Sequence, residues 1–445
     1  MSAFSTHRRT FMKYLAAAPV FGAIAAQSTL QKLSAATGKK ASADVYRRLG
    51  VRPFINARGT WTYLSGSLEL PAVRHAMDAA AQHFVNIDEL QEKVGKRIAE
   101  WTYNEAAYVS SGAAAGLVLS TAACIAGTDE DKRARLPFSD GMKNEIIVHR
   151  CGRVGYDFAI RQAGGRLVEI GDDHGATSEQ LEAAINERTA AIFVFANPVT
   201  MRTQVPLQLQ IAIAKRHAIP VVIDAAAQIP PVDNLWNFTR MGADLVLFSG
   251  GKGLCGPQSS GLILGRRDLI TACAFHACPR PFVGRPMKAG KEEIVGLMTA
   301  VRWYLDLDHE ALMRSYEEQV QTVLDAFAGA RGVSGRRSFP SEAGQPMPRA
   351  ELIFDEEILG LRRDEILARL LEGDPAVSLA AAGERGLFVN PQTLRPGEEQ
   401  IIISRIKKLL GNLSRCAGQI TQFSSLPPPP GEGWGEGLTS RSTGA

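Results

Sequence analysis

The feature that most constrains the fold of this chain is a series of short apolar runs that do not alternate with polar residues. They lie at Ala106–Ser110, Glu145–His149, Arg166–Ile170, Ala191–Ala196, Pro220–Asp224, Asp244–Phe248 and Gly261–Gly265. In Ile192-Phe193-Val194-Phe195 every position is apolar, so a strand there needs cover on both faces. Segments of helical periodicity, such as Leu207–His217, separate the runs. Strand–helix alternation of this kind predicts an α/β fold with a doubly wound, mostly parallel, seven-stranded sheet. Right-handed crossovers then gather the loops after the strands on one side, where open α/β sheets bind their ligands. Catalytic residues are therefore expected at the strands' C-terminal ends.

A helical pattern from about Lys291 to Arg331 leads out of the sheet. It predicts a large domain over residues 46–334 and a small C-terminal α+β domain over 335–423. In the latter, Ala350–Phe354, Ala376–Ala382 and Gly386–Val389 read as strands and Glu398–Asn412 as a helix. Residues 424–445 open on Leu426-Pro427-Pro428-Pro429-Pro430-Gly431 and are too poor in apolar side chains to form a core, which predicts a disordered tail.

The net charge of +4 over 445 residues gives no basis for a nucleic-acid surface. Six cysteines form no CxxC pair and no cluster with histidine, so no metal site is expected. Past the N-terminus, no apolar run reaches the roughly 18 residues of a membrane span. Residues 1–45 differ from the rest. Arg8-Arg9-Thr10-Phe11-Met12-Lys13 precedes a weakly apolar stretch from Tyr14 to Ala26, as in a twin-arginine export signal. Export to the periplasm is the resulting expectation, with a cytoplasmic location as the alternative.

Three local patterns carry chemistry. The first is Ser249-Gly250-Gly251-Lys252-Gly253, a lysine among glycines just past a buried strand. A lysine that forms an imine with a bulky aldehyde cofactor has use for such surroundings, because glycine lets the ligand approach the backbone. Ser249 is placed to hydrogen-bond a phosphate. The second is Val221-Val222-Ile223-Asp224, an apolar strand ending in a carboxylate and followed by three alanines. A carboxylate there can face a pyridinium nitrogen, and the small residues leave room for a flat ring. Asp224 can equally cap a helix. The third is Ser110-Ser111-Gly112-Ala113, where a strand gives way to a helix whose free N–H groups and dipole suit a phosphate. In this order the three patterns fit pyridoxal 5'-phosphate.

The same stretches resemble fold-type I pyridoxal-phosphate enzymes, within them the group of selenocysteine synthases and D-glucosaminate-6-phosphate ammonia-lyase. The resemblance runs from about Tyr46 to Asn412. It rests on Leu49–Thr60, the Ser110–Gly116 loop, Val222–Gln228, Ser249–Gln258 and Gly284–Glu292. It implies that Lys252 binds the cofactor aldehyde and Asp224 the pyridinium, both as catalytic residues. Ser111, Gly112, Ala113 and Ser249 would hold the phosphate. It also implies homo-oligomers with active sites at subunit interfaces, where Arg285 or Lys288 would supply positive charge to a substrate. His149 and Arg150 follow a strand end within reach of the ring, and His149 is taken as a cofactor-binding candidate. Arg58 stands where relatives more often carry a small residue, and a cation there would bear on substrate choice. Asp172-Asp173-His174 reads as a solvated turn, and Cys255 as a small apolar lining residue.

Elimination from an amino acid or amino sugar acid, of the ammonia-lyase type, is the function expected on this basis. Transamination, racemisation, selenium transfer and a non-catalytic binding role stay open. No arginine sits in a motif diagnostic of a carboxylate partner; Arg58, Arg285 and Arg405 all remain candidates. No tRNA binding is expected, because the charge is nearly balanced and only 45 residues precede Tyr46.

Overall fold

The computed structural model describes residues 42–416. The twin-arginine motif and the tail from 424 onward lie outside the described residues. Contacts divide the chain into two compact units. The smaller holds the described residues 42–54 together with 374–376, including the helix Ser42–Arg48. Val51 N–H closes this segment on Tyr46 O at 2.8 Å. The larger unit holds residues 55–373 and the described residues from 377 onward.

Thirteen strands are described. They are β1 Phe54–Asn56, β2 Ala106–Ser110, β3 Glu145–His149, β4 Arg166–Ile170, β5 Thr189–Phe195, β6 Val221–Asp224, β7 Leu245–Ser249, β8 Gly261–Gly265, β9 Val333–Ser338, β10 Arg349–Phe354, β11 Ala376–Ser378, β12 Ala380–Ala382 and β13 Gly386–Val389. The main sheet has seven strands in the order β2-β8-β7-β6-β5-β3-β4. β8 runs antiparallel to β2 and β7, and the other neighbours are parallel. Hence β2, β3, β5, β6 and β7 all end at the same edge.

Successive residues of one strand enter different cores. Ile147, Ile192, Val194 and Val246 join one apolar cluster, whereas Ile146, Val148, Phe193 and Leu247 join another. Both faces are apolar because helices cover both, which is why these strands show no period-two pattern. A third cluster, with Val320, Leu352, Leu387 and Ile406, is the core of the C-terminal region. There β12-β13-β10-β9 form an antiparallel sheet.

Two expectations are corrected. The helical stretch after Lys291 is two helices, Lys291–Asp306 and His309–Phe327. Asp308 separates them and caps the second, its side chain accepting from Ala311 N–H at 2.8 Å. The run Ala376–Ala382 is two strands, since β11 pairs with β1 and β12 with β13. β9 has no counterpart in the sequence reading, because its Val-Ser-Gly-Arg-Arg-Ser sequence is largely exposed and lacks an apolar face.

Candidate active site

The shared C-terminal edge brings together the residues expected there. Asp224 ends β6, Ser249 ends β7, Ser110 ends β2 and His149 ends β3. Lys252 follows β7 by three residues.

Lys252 is half-buried, and its side-chain amine makes no hydrogen bond or ion pair among the described residues. Burial lowers its ammonium pKa, opposed by the charges of Asp224 and Glu342. Asp224 shows the mirror image. Burial raises its carboxyl, while the Ala226 N–H, donating to Oδ1 at 2.9 Å, and the charge of Lys252 oppose the rise. The glycines around Lys252 serve a purpose other than the one expected. A Cβ on Gly250 would lie 2.0 Å from Ser260 Oγ, and one on Gly253 would lie 2.3 Å from Ile229 O. They let the loop pack on the protein, and the loop is closed by Gly256 N–H donating to Gly250 O at 2.8 Å and Cys255 N–H to Lys252 O at 3.0 Å.

Beside this loop starts the helix Ala113–Ala126, with Gly112 at its N-cap in the left-handed region, φ 106°. No side chain caps it, and Ser110 Oγ instead donates to Gly112 O at 2.9 Å. Its first N–H groups are therefore free to take an anion. The first residue of β8 explains how close this turn lies to the sheet: a Cβ on Gly261 would meet Gly112 C at 2.4 Å and Ala113 N at 2.7 Å.

His149 is 3% exposed, and its Nε2 accepts from Val205 N–H at 3.3 Å. Nδ1 is buried without a partner among the described residues. Burial pushes the imidazole down to about 4, so it is neutral at ordinary pH. The remaining candidates lie elsewhere. Arg58 stacks over the Tyr63 ring at 5.6 Å. Arg285 is exposed and reaches Cys278 Sγ at 3.7 Å. The charge of Lys288 bears on Glu292. Arg405 packs against Gly373, where an added Cβ would lie 1.5 Å from its Nη2. Asp172 turns back to accept from His174 and Gly175 N–H, and Asp173 pairs with Arg150 at 3.0 Å, so this stretch is a turn. Among the described residues no group of three acidic, histidine or cysteine side chains could hold a metal ion.

Sequence reasoning missed a second half of the site, contributed by the C-terminal region. The loop at 341–347 docks on the loop after Asp224: Gln228 Nε2 donates to Ala343 O at 2.9 Å and Gln345 Nε2 to Ile229 O at 2.7 Å. This loop carries Glu342, whose carboxyl feels the charge of Lys252. Arg349, the first residue of β10, donates to Glu342 Oε2 at 3.1 Å and lies 3.9 Å above the Phe388 ring. It is 8% exposed. Burial lowers its guanidinium pKa, offset by Glu342 and Glu351. Arg349, none of the three arginines singled out earlier, is the cation built into this edge.

The central part of the chain, residues 144–278, matches the aminotransferase class-V family. The chain is 34% identical over 373 residues to D-glucosaminate-6-phosphate ammonia lyase of Salmonella typhimurium, covering 82% of this chain and 98% of that protein. The chain belongs to the D-glucosaminate-6-phosphate ammonia-lyase and selenocysteine-synthase-like group of fold-type I pyridoxal-phosphate enzymes. A 5'-C-glycyluridine monooxygenase-decarboxylase from a Streptomyces species is 33% identical over 380 residues, covering 82% and 92%. An L-seryl-tRNA(Sec) selenium transferase of Moorella thermoacetica is 27% identical over 417 residues, covering 82% and 83%. The solved structure of a D-glucosaminate-6-phosphate ammonia-lyase superposes with TM-score 0.75 at 32% identity, covering 83% and 99%. The protein is thus a pyridoxal-phosphate enzyme. Its own edge fits that cofactor: an unbonded lysine amine, a half-compensated buried carboxyl, an uncapped helix N-terminus and the orphaned Nδ1 of His149.

Proposed function

We propose that this protein releases ammonia from a 2-amino-3-hydroxy acid, of the amino sugar acid kind, by elimination. The observation that carries this reading is Lys252, whose unbonded and desolvated amine sits at the same sheet edge as the buried carboxyl of Asp224. Pyridoxal phosphate, when bound, supplies the electron sink for charge that develops at the substrate's α-carbon. Lys252 would hold the cofactor through its amine, and the same amine is placed to take the α-proton. Burial lowers the pKa of this amine, which favours its acting as a base. Asp224 would hold the pyridine nitrogen and favour its protonated form. Ser111, Gly112, Ala113 and Ser249 hold the phosphate, and His149 lines the ring side of the site. Arg349 receives the substrate carboxylate.

Arg285 and Lys288 fit a role toward the distal end of a substrate across a subunit interface in a homo-oligomer. Arg58 is the further cation offered to such a substrate. The pattern at Arg8-Arg9 supports export by the twin-arginine route. Fractionation of cells carrying the double substitution Arg8→Lys and Arg9→Lys would test it, with retention inside the cell expected. The activity test is incubation of the purified protein with serine, threonine and D-glucosaminate-6-phosphate, without any keto acid, under air and under nitrogen. Repeated turnover with ammonia release in both atmospheres is expected. One turnover that stalls until a keto acid is added would establish transamination instead, and consumption of dioxygen would establish an oxidative reaction.

A further inference from the structure

The polar groups of the C-terminal region converge on one point beside Gly59. A Cβ placed on that residue, whose φ is 102°, would lie 2.9 Å from Asn390 Nδ2, 3.0 Å from Glu342 Oε1 and 3.6 Å from Gln392 Oε1. A side chain there would fill the space that these groups surround. Asn390 is 1% exposed, yet its Nδ2 has no hydrogen-bond partner among the described residues, and neither have Oε1 and Nε2 of Gln392. Unpaired amide groups at such depth cost free energy unless a ligand meets them. The Glu342 side chain is 31% exposed, so its carboxyl is open to a ligand.

We propose that Asn390, Gln392 and Glu342 form the subsite for the β-hydroxyl of the substrate, and that Glu342 is the acid that protonates this hydroxyl as it leaves. The inference rests on the lyase reading above and adds to it a residue with a stated task. In the step itself, Lys252 removes the α-proton, the α-carbon and β-carbon become doubly bonded, and the carbon–oxygen bond at the β-carbon breaks. The oxygen takes the proton of Glu342 and departs as water. The resulting enamine takes up at the β-carbon a proton in place of the one that Lys252 removed, and hydrolysis of the imine consumes one water and releases ammonia and a keto acid. No oxidant or reductant is needed.

The free protein contains the device that would load this acid. Glu342 Oε2 accepts from Arg349 Nη1 at 3.1 Å, which favours the ionised carboxylate. The charged groups that bear on it are Arg349 on β10 and Lys252 after β7; the groups facing it from the β13 side, Asn390 and Gln392, are neutral. Burial pushes its pKa up against those two cations. A substrate carboxylate that takes over Arg349 neutralises the nearer of them. A Lys252 that holds the cofactor would no longer present the other as a free ammonium. Binding therefore transfers Glu342 toward its protonated form before the hydroxyl has to leave.

The test uses the holoenzyme, D-glucosaminate-6-phosphate and its 3-deoxy analogue, which binds but has no hydroxyl to lose. Calorimetry in two buffers of different ionisation heat should show uptake of about one proton when wild-type protein binds the analogue, and none for Glu342→Gln. In heavy water, Glu342→Gln should still exchange the α-hydrogen at a rate near wild type while ammonia release falls by roughly 10² or more. Glu342→Asp should recover part of that release. Wild-type ammonia release by Glu342→Gln, or equal loss of exchange and release, would overturn the acid role while leaving the lyase reading in place. Wild-type protein that exchanges the α-hydrogen but releases no ammonia would overturn the lyase reading and, with it, the acid role. Absence of proton uptake by wild type would overturn the loading device even if no variant folds.

Discussion

The two edges of the seven-stranded sheet treat buried charge in opposite ways. At the edge where β3 begins, Glu145 is 1% exposed and meets Arg188 at 2.9 Å, Arg166 at 3.5 Å and Asn186 Nδ2 at 2.8 Å. Nearby, Asp244 takes Arg266 at 2.6 Å and Val221 N–H at 2.8 Å. At the opposite edge, the Asp224 carboxylate has one backbone N–H, and the Lys252 amine has no bond among the described residues. A buried charge held between opposite charges is a structural element. A charge left short of partners keeps a shifted pKa and a free lone pair or proton, which is what a ligand-binding edge requires. The contrast identifies the working side of the sheet independently of any motif.

The contrast can be broken most severely at Lys252. Lys252→Ala should lose roughly 10⁴ or more in turnover, because the covalent anchor and the general base go together. Borohydride treatment of wild-type protein should fix the cofactor's mass on the peptide containing Lys252, and attachment at another lysine would refute the assignment. Asp224→Asn should keep the cofactor and lose roughly 10²–10³ in turnover, the usual worth of one preorganised electrostatic partner. Turnover near wild type would remove Asp224 from the site. Gly261→Ala should force the Gly112 turn away from β8 and weaken cofactor binding by roughly 10-fold, read by titration of the apoprotein. Unchanged affinity would separate the turn from the phosphate.

At the other edge the effects should fall on stability. Glu145→Gln should cost roughly 1–2 kcal/mol, since its arginine partners are more than half exposed and can hydrate. Denaturant unfolding measures it, and activity per folded molecule should not change. A further effect concerns acid. His149 and His276 both have pKa values pushed down to about 4 by burial. The unfolded chain then binds protons that the folded one refuses, so stability falls as pH drops through about 6.5 and levels off below about 4. His149→Gln should flatten about half of this histidine-dependent slope, and an unaltered slope would show that the ring is not held neutral.

Much of this was legible in the sequence, and the reasons are local. The strands of the sheet are apolar on both faces, so their spans stand out, and Asp224 and Lys252 follow such strands directly. Glu342, Arg349 and Asn390 carry no comparable signal. They lie some 90 residues or more past Lys252, in a loop, at the start of β10 and just after β13, and each looks like an ordinary surface residue until the C-terminal sheet folds. Arg405 is named in the sequence reading and Arg349 is not, and tertiary packing sets Arg405 against Gly373. The glycines beside Lys252 suggest a ligand's approach, whereas their neighbours turn out to be Ser260 and Ile229. The spacing said that something must come close, without saying what.

The two glutamine bridges, Gln228 to Ala343 and Gln345 to Ile229, have a consequence for how the protein opens. Each loop supplies a side chain that holds the other's backbone, so neither can loosen without giving up bonds on both sides. The segments after Asp224 and around Glu342 therefore form one cooperative unit, although more than 100 residues of chain separate them. Amide hydrogens in both should exchange with solvent at matched rates, and cofactor binding at Asp224 should slow the two together.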